Sequence, residues 1–219
     1  MQHLSFRALC ASLLCSFLLG CGCPPDEKIG EIRLQSSTQG WIAYQGNETL
    51  PFTNANRDGL RLRNRCGAEA STDRLCIRTI CTENKIKGQS FCEYFDAESR
   101  RFIFQDDADS LLLDLLFYSA VYDPEARHFV DVVRVTLSWG TAIISGEKVL
   151  GQNFSGILDS TKLSLGPPLE ELGRVKLDSV YFENVYSRTE GPLALWLSPE
   201  QGLVGFSRNG ELYRLGEAN

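Results

Sequence analysis

The chain has 219 residues, 22 of them basic and 28 acidic, for a formal net charge of −6, and 43% of its residues are hydrophobic. That length suits one domain or two closely packed subdomains. No basic cluster is dense enough to grip a nucleic-acid backbone, and only one long apolar stretch is present, at the N-terminus.

Arg7 is followed by the 12-residue apolar run Ala8 to Leu19. A bilayer-spanning helix needs roughly 20 apolar residues, so the run is too short to anchor the chain and fits the apolar core of a secretory signal peptide. Its end, Leu18-Leu19-Gly20-Cys21, resembles the lipobox of bacterial lipoproteins. The resemblance implies a diacylglycerol on the Cys21 thiol, cleavage between Gly20 and Cys21, and a membrane anchor on the new N-terminal residue. One acyl chain binds a membrane only reversibly, whereas two or three make release very slow. Residues 1–20 are then a signal peptide and residues 21–29 a tether, kept extended by Pro24 and Pro25. In that family an Asp after the lipidated cysteine marks inner-membrane retention. Gly22 stands there instead, which implies the outer membrane of a bacterial envelope. Asp26-Glu27 resembles the acidic surface-export signals of some Bacteroidota lipoproteins, and a periplasmic and a surface-exposed placement both stay open.

Residues 30–219 read as a single β-rich domain. Period-2 alternation marks Gly30 to Gln35, Gly40 to Gln45, Leu60 to Arg63, Arg101 to Phe104 and the long β-branched run His128 to Trp139. Arg57, Arg61, Arg63 and Arg65 fall on alternate positions beside Asp58 and Glu69, the pattern of a strand's wet face. Ser110 to Tyr122 fits either a helix capped by Asp109 or a strand buried on both faces; its neighbours favour the strand. Gly146 to Gly173 is looser, with a short helical turn expected over Pro168 to Leu172. Three short runs, Pro192 to Leu197, Gly202 to Ser207 and Glu211 to Leu215, form a meander closed by Asn209-Gly210, a strong hairpin signal. This region, about residues 192–215, resembles the closing hairpin of uncharacterised Bacteroidota envelope lipoproteins, a likeness that carries no activity. The fold class expected is all-β, mainly antiparallel: a curved sheet, sandwich or open barrel with at most one or two short helices.

Eight cysteines are present. Cys10 and Cys15 leave with the signal, Cys21 takes lipid, and Cys23 is left over. Cys66, Cys76, Cys81 and Cys92 form an even set in the segment about 60–96. In an oxidising envelope they are expected to form disulfides; their spacing fits zinc poorly. A hairpin centred between Ile86 and Lys87 sets Cys81 opposite Cys92, and a turn over Gly67 to Asp73 would set Cys66 opposite Cys76.

No catalytic constellation is legible. His128 is the only histidine beyond the signal, and no nucleophile elbow accompanies it. Asp106, Asp107 and Asp109 carry oxygen ligands suited to calcium but lack the Gly and distal Glu of an EF-hand loop, so a solvated turn is expected, and neither a metal site nor a cofactor is. Asp109-Ser110-Leu111, Asp159-Ser160-Thr161 and Asp178-Ser179-Val180 resemble the O-glycosylation pattern of Bacteroidota envelope proteins. Ser110 and Ser179 are expected inside strands, which favours Ser160. The reading reached is a non-enzymatic, membrane-anchored binding or accessory module for an envelope protein or glycan. Its exposable aromatics are Trp41, Tyr44, Trp139 and Trp196. One alternative is a carrier of a lipid or other apolar ligand within a curved sheet; the other is an envelope hydrolase.

Overall fold

A computed structural model describes residues 25–83 and 89–216, with the side chains of 80–83 and 89–90 left aside. The N-terminal features expected from the sequence, Cys21 and Cys23 among them, and the turn centred on Ile86 lie outside the described residues. Among the described residues no helix is long and apolar enough to cross a membrane.

The described residues form twelve strands: β1 (Glu27–Ile32), β2 (Thr49–Thr53), β3 (Gly59–Glu83), β4 (Gln89–Gln105), β5 (Leu111–Asp123), β6 (His128–Trp139), β7 (Ala142–Gln152), β8 (Glu170–Leu177), β9 (Val180–Glu190), β10 (Leu193–Ser198), β11 (Gly202–Arg208) and β12 (Glu211–Leu215). Among the described residues the helices are the four-residue α1 (Ser36–Gln39) and a 3-10 turn at Ser160–Lys162. The chain is all-β, as its alternating patterns predict. The sheet order is β7-β6-β5-β4-β3-β2-β12-β11-β10-β9-β8, with β1 beside β4. The neighbours whose register is described run antiparallel.

Contacts divide the chain into two compact units. The smaller takes in the chain up to Gly30 together with Cys76–Phe95. Within it the Cys92 N–H donates to Asp26 Oδ1 at 3.0 Å, and the Phe95 ring lies so close to Gly30 that a Cβ there would sit 2.8 Å from it.

The larger unit is Glu31–Leu75 with Asp96–Asn219. Its sheet curls until the two edges meet: Glu147 of β7 bridges Pro168, just before β8. Glu147 N–H donates to Pro167 O at 2.8 Å, and Leu169 N–H to Glu147 O at 2.9 Å. The inner face is apolar because every second residue of the strands points inward. Along β5, Leu111, Leu113, Leu115 and Phe117 are buried and alternate with half-buried positions. The interior is filled by Phe52, Phe102, Phe104 and Phe206, interleaved with leucines and valines. Ring contacts run through this core, with Tyr44 4.8 Å from Phe104 and Phe52 4.9 Å from Phe206. The β8–β9 hairpin brings Leu177, Phe182 and Val185 into a second cluster with Val204, packed against Trp196.

Tight turns follow their local chemistry. Asn209 and Gly210 both take positive φ, 52° and 83°, as a two-residue hairpin loop of the primed type requires. The meander of β10, β11 and β12 therefore forms as predicted.

Several expectations are corrected. Gly40 to Gln45 forms no strand; α1 ends there and Trp41 to Ala43 follow in turn-type hydrogen bonds. No helical turn forms over Pro168 to Leu172, because the edge contact with Glu147 holds that backbone extended. β7 runs to Gln152, within the segment expected to be loose. Most consequential, β3 passes straight through Gly67 to Asp73, where a turn was expected. Cys66 and Cys76 thus lie ten residues apart on one strand, and at about 3.3 Å rise per residue they cannot approach within the roughly 7 Å that a disulfide allows. Both are exposed and unbonded. The expected Cys81–Cys92 pair includes Cys81, whose side chain lies outside the described ones. A maleimide added to the native, unreduced protein is expected to label Cys66 and Cys76; a Cys66–Cys76 disulfide peptide would contradict the continuous strand.

Candidate functional site

The outer face of the larger unit carries the second set of alternating side chains. Across β4, β5, β6 and β7, Arg101 pairs with Leu116, Leu116 with Arg134, and Arg134 with Glu147. A polar groove of about 380 Å³ runs over this row and includes Asp73, Ser99 and Asp114. At Asp73 and Ser99 it meets a second, mainly apolar hollow of about 350 Å³, walled by Leu75, Ala97, Tyr118, Ala120 and Leu165. The outer face thus carries one groove with a polar end and an apolar end.

The polar end is built from mutually satisfied groups. Arg101 donates to both oxygens of Asp114, at 2.9 and 2.7 Å, the planar fork-to-carboxylate match that favours Arg. That bond, with the nearby charges of Asp114 and Glu69, raises the Arg101 pKa against a smaller effect of burial. Ser99 is buried; its hydroxyl donates to Asp73 Oδ2 at 2.9 Å and lies 2.7 Å from that of Ser71.

Glu147 anchors the wall. Its carboxylate is buried and accepts from the Arg134 guanidinium, from the Gly166 N–H and from the Tyr118 hydroxyl at 3.1 Å. Burial first, and the Glu147 charge second, raise the Tyr118 pKa, keeping the phenol a neutral donor. Glu147→Ala removes a shared acceptor and frees the segment that ends at Pro168. Arg134 is half exposed and can turn to water, so the expected loss is about 2–4 kcal/mol in urea denaturation, below the upper end for breaking a buried pair.

The His128 ring stacks on Phe154 at 4.5 Å, and Phe154 stacks in turn on Tyr122 at 4.7 Å. Asp106 is buried; Ser110 N–H and Leu111 N–H donate to its Oδ1 at 2.7 and 2.9 Å, and the Ser110 hydroxyl donates to Oδ2 at 2.8 Å. Asp107 and Asp109 pair with Arg63 and Arg65 at 3.4 and 2.7 Å. The acidic turn is therefore spent on backbone and arginines, and among the described residues no group of three His, Cys, Asp or Glu is set to hold a metal.

Burial alone would raise the Asp106 pKa, but its hydrogen bonds outweigh that and hold it below the usual carboxylate value. The stabilisation is present above the ordinary Asp range, near pH ~4, and is lost as pH falls through the lowered folded value. Asp106→Asn is expected to cost about 1–2 kcal/mol at neutral pH. The gap to wild type should narrow in denaturation curves taken below pH ~4.

Ser110 and Ser179 lie in turns, not inside strands: Ser110 just before β5, Ser179 between β8 and β9. Ser160 opens the 3-10 turn, whose cap Asp159 accepts from Thr161. Of the exposable aromatics, Tyr44 is core, Trp41 packs on Tyr186 at 5.1 Å, Trp139 lies 5.7 Å from Phe206, and Trp196 packs on the second cluster. Among the described residues the exposed aromatic is instead Tyr181, 55% accessible. The groove residues were missed because outward positions on strands read as ordinary wet face; the charges opposite one another become visible only once the register is known.

No protein-family model, curated protein or solved structure matches this chain.

Proposed function

We propose that this chain is an envelope lipoprotein, cut before Cys21 and held on the outer membrane by lipid on that cysteine. Its β-rich part serves as a non-catalytic binding or accessory module for an envelope protein or glycan. The anchor rests on Leu18-Leu19-Gly20-Cys21 and the short apolar run before it. The observation that carries the binding reading is the outer groove, beside an interior of the larger unit packed with aromatic and aliphatic side chains. That groove is half polar and half apolar, the composition of a surface that orients a partner while burying part of it.

Ala120→Trp, placed in the apolar end, tests the reading. In the native envelope the wild type is expected to crosslink to a stoichiometric partner and the variant to lose that partner while staying membrane-bound. Equal crosslinking would remove the groove from the proposal; co-purified lipid in place of a partner would favour the carrier reading.

A further inference from the structure

Two of the alternating arginines, Arg57 and Arg61, have no ion pair among the described residues, and of these Arg61 lines a groove. Arg63 and Arg65 are held by Asp107 and Asp109, whereas Arg61 makes no ion pair with any described residue. Arg61 faces Pro51 across the β2–β3 ladder, and Arg214 of β12 faces Thr53. These outward positions form one wall of a groove of about 570 Å³, and Tyr181 at the start of β9 lines it as well.

Three properties set this groove apart from the outer-face groove. It has no Asp or Glu among its lining residues, in a chain with more acidic than basic side chains. Its two guanidiniums are not equally committed: Arg214 is bound through Nε to Asp178 at 3.2 Å and through Nη1 to Leu215 O at 3.3 Å, while Arg61 is uncommitted. The Tyr181 ring is flanked by two cations, the Arg174 guanidinium 4.4 Å and the Lys176 ammonium 5.5 Å from its centre, of which Arg174 is paired with Glu183 at 3.0 Å.

We propose that this groove binds an anionic sugar, a pyranose bearing a carboxylate or phosphate, with the anion on Arg61 and Arg214 and the ring against Tyr181. The planar guanidinium suits a two-oxygen anion. An exposed aromatic offers low-entropy contact area to the C–H face of a sugar, and the Gln201 amide, also in the groove, supplies both a donor and acceptors for hydroxyls. The volume lies within the usual range for small-molecule sites. Of the three aromatics that line it, Phe52 and Phe182 are buried, and the one exposed ring of Tyr181 does not provide the succession of stacking platforms that single-stranded nucleic acid uses.

The test is titration of the protein, purified in detergent, with trigalacturonate, glucose 6-phosphate and neutral maltotriose, followed by NMR or calorimetry. At least one anionic sugar is expected to bind about tenfold or more tightly than maltotriose. A preference for trigalacturonate assigns an acidic glycan chain, and a preference for glucose 6-phosphate a phosphorylated sugar such as a glycolipid headgroup. Arg61→Ala and Tyr181→Ala, both at exposed positions, should each weaken binding about tenfold with unchanged circular dichroism, and Lys162→Ala, away from the groove, should not. The proposal is overturned if neither anionic sugar binds at about 10 mM, if maltotriose binds equally well, or if Arg61→Ala and Tyr181→Ala bind as the wild type does. None of these outcomes bears on the lipid anchor or on the outer-face groove.

Discussion

Gly202→Ala is expected to cost at least about 3 kcal/mol, enough to unfold much of a marginally stable population. Gly202 opens β11 with φ at +72°, and a Cβ placed there would lie 2.0 Å from the Tyr44 hydroxyl oxygen and 2.3 Å from Cζ. A left-handed residue with a side chain costs roughly 1–2 kcal/mol, and the overlap adds repacking of a buried ring. Tyr44 cannot give way, because its ring is wedged beside Phe102 and Phe104 and its hydroxyl accepts from the Leu203 N–H at 2.7 Å. Burial, opposed in part by that N–H, holds the phenol pKa well above its ordinary value, so it stays neutral. Tyr44→Phe, which orphans the Leu203 N–H, should cost less, about 1–3 kcal/mol. Thermal melts of the two variants, with Gly202→Ala the lower, check the ordering; a Gly202→Ala melt like that of wild type would mean that Tyr44 does not sit where it is placed.

Asp131→Ala should be nearly as damaging, at about 3–5 kcal/mol. Asp131 is 1% exposed and accepts three hydrogen bonds: at Oδ2 from Gln35 N–H and the Thr38 hydroxyl, both at 2.7 Å, and at Oδ1 from the Ser119 hydroxyl at 2.8 Å. One carboxylate therefore ties α1 to β5 and β6. Removing it strands Thr38, which is fully buried. Guanidinium denaturation of Asp131→Ala, Thr38→Val and the double variant should show coupling, with the double loss well below the sum of the single ones. Additive losses would mean that the two residues do not share a bond.

What the sequence made legible follows from what each pattern depends on. Alternation is local, so β6 and the C-terminal meander were readable, and Asn209-Gly210 demands its own turn; β5 is apolar at nearly every position from Leu111 to Phe117, which fits a helix or a buried strand alike, and only its neighbours favoured the strand. The misreadings are tertiary. Trp41, Ile42 and Tyr44 looked like a strand because they are apolar, but they pack as a segment following α1. Pro168 looked like a helix start, but the far edge of the sheet claims it through Glu147. Gly67 looked like a turn, and its φ of +78° is indeed unusual, yet its neighbours continue the ladder. The outer groove was illegible for a different reason. Arg101, Asp114, Arg134 and Glu147 are unremarkable singly and meet only through strand register, which a sequence does not print. Arg61 stands between these cases: its series was visible, but its lack of a partner required knowing that Asp107 and Asp109 take its neighbours.

The central claim, that this β-rich unit is carried on a lipid tether, is tested most directly by mass spectrometry of the N-terminal peptide from protein isolated from its native envelope. The account predicts a peptide beginning at Cys21 with the added mass of a diacylglycerol, and a Cys21→Ser variant that keeps residues 1–20 and carries no acyl label. A mature N-terminus elsewhere, or acyl label on the Cys21→Ser protein, would contradict it.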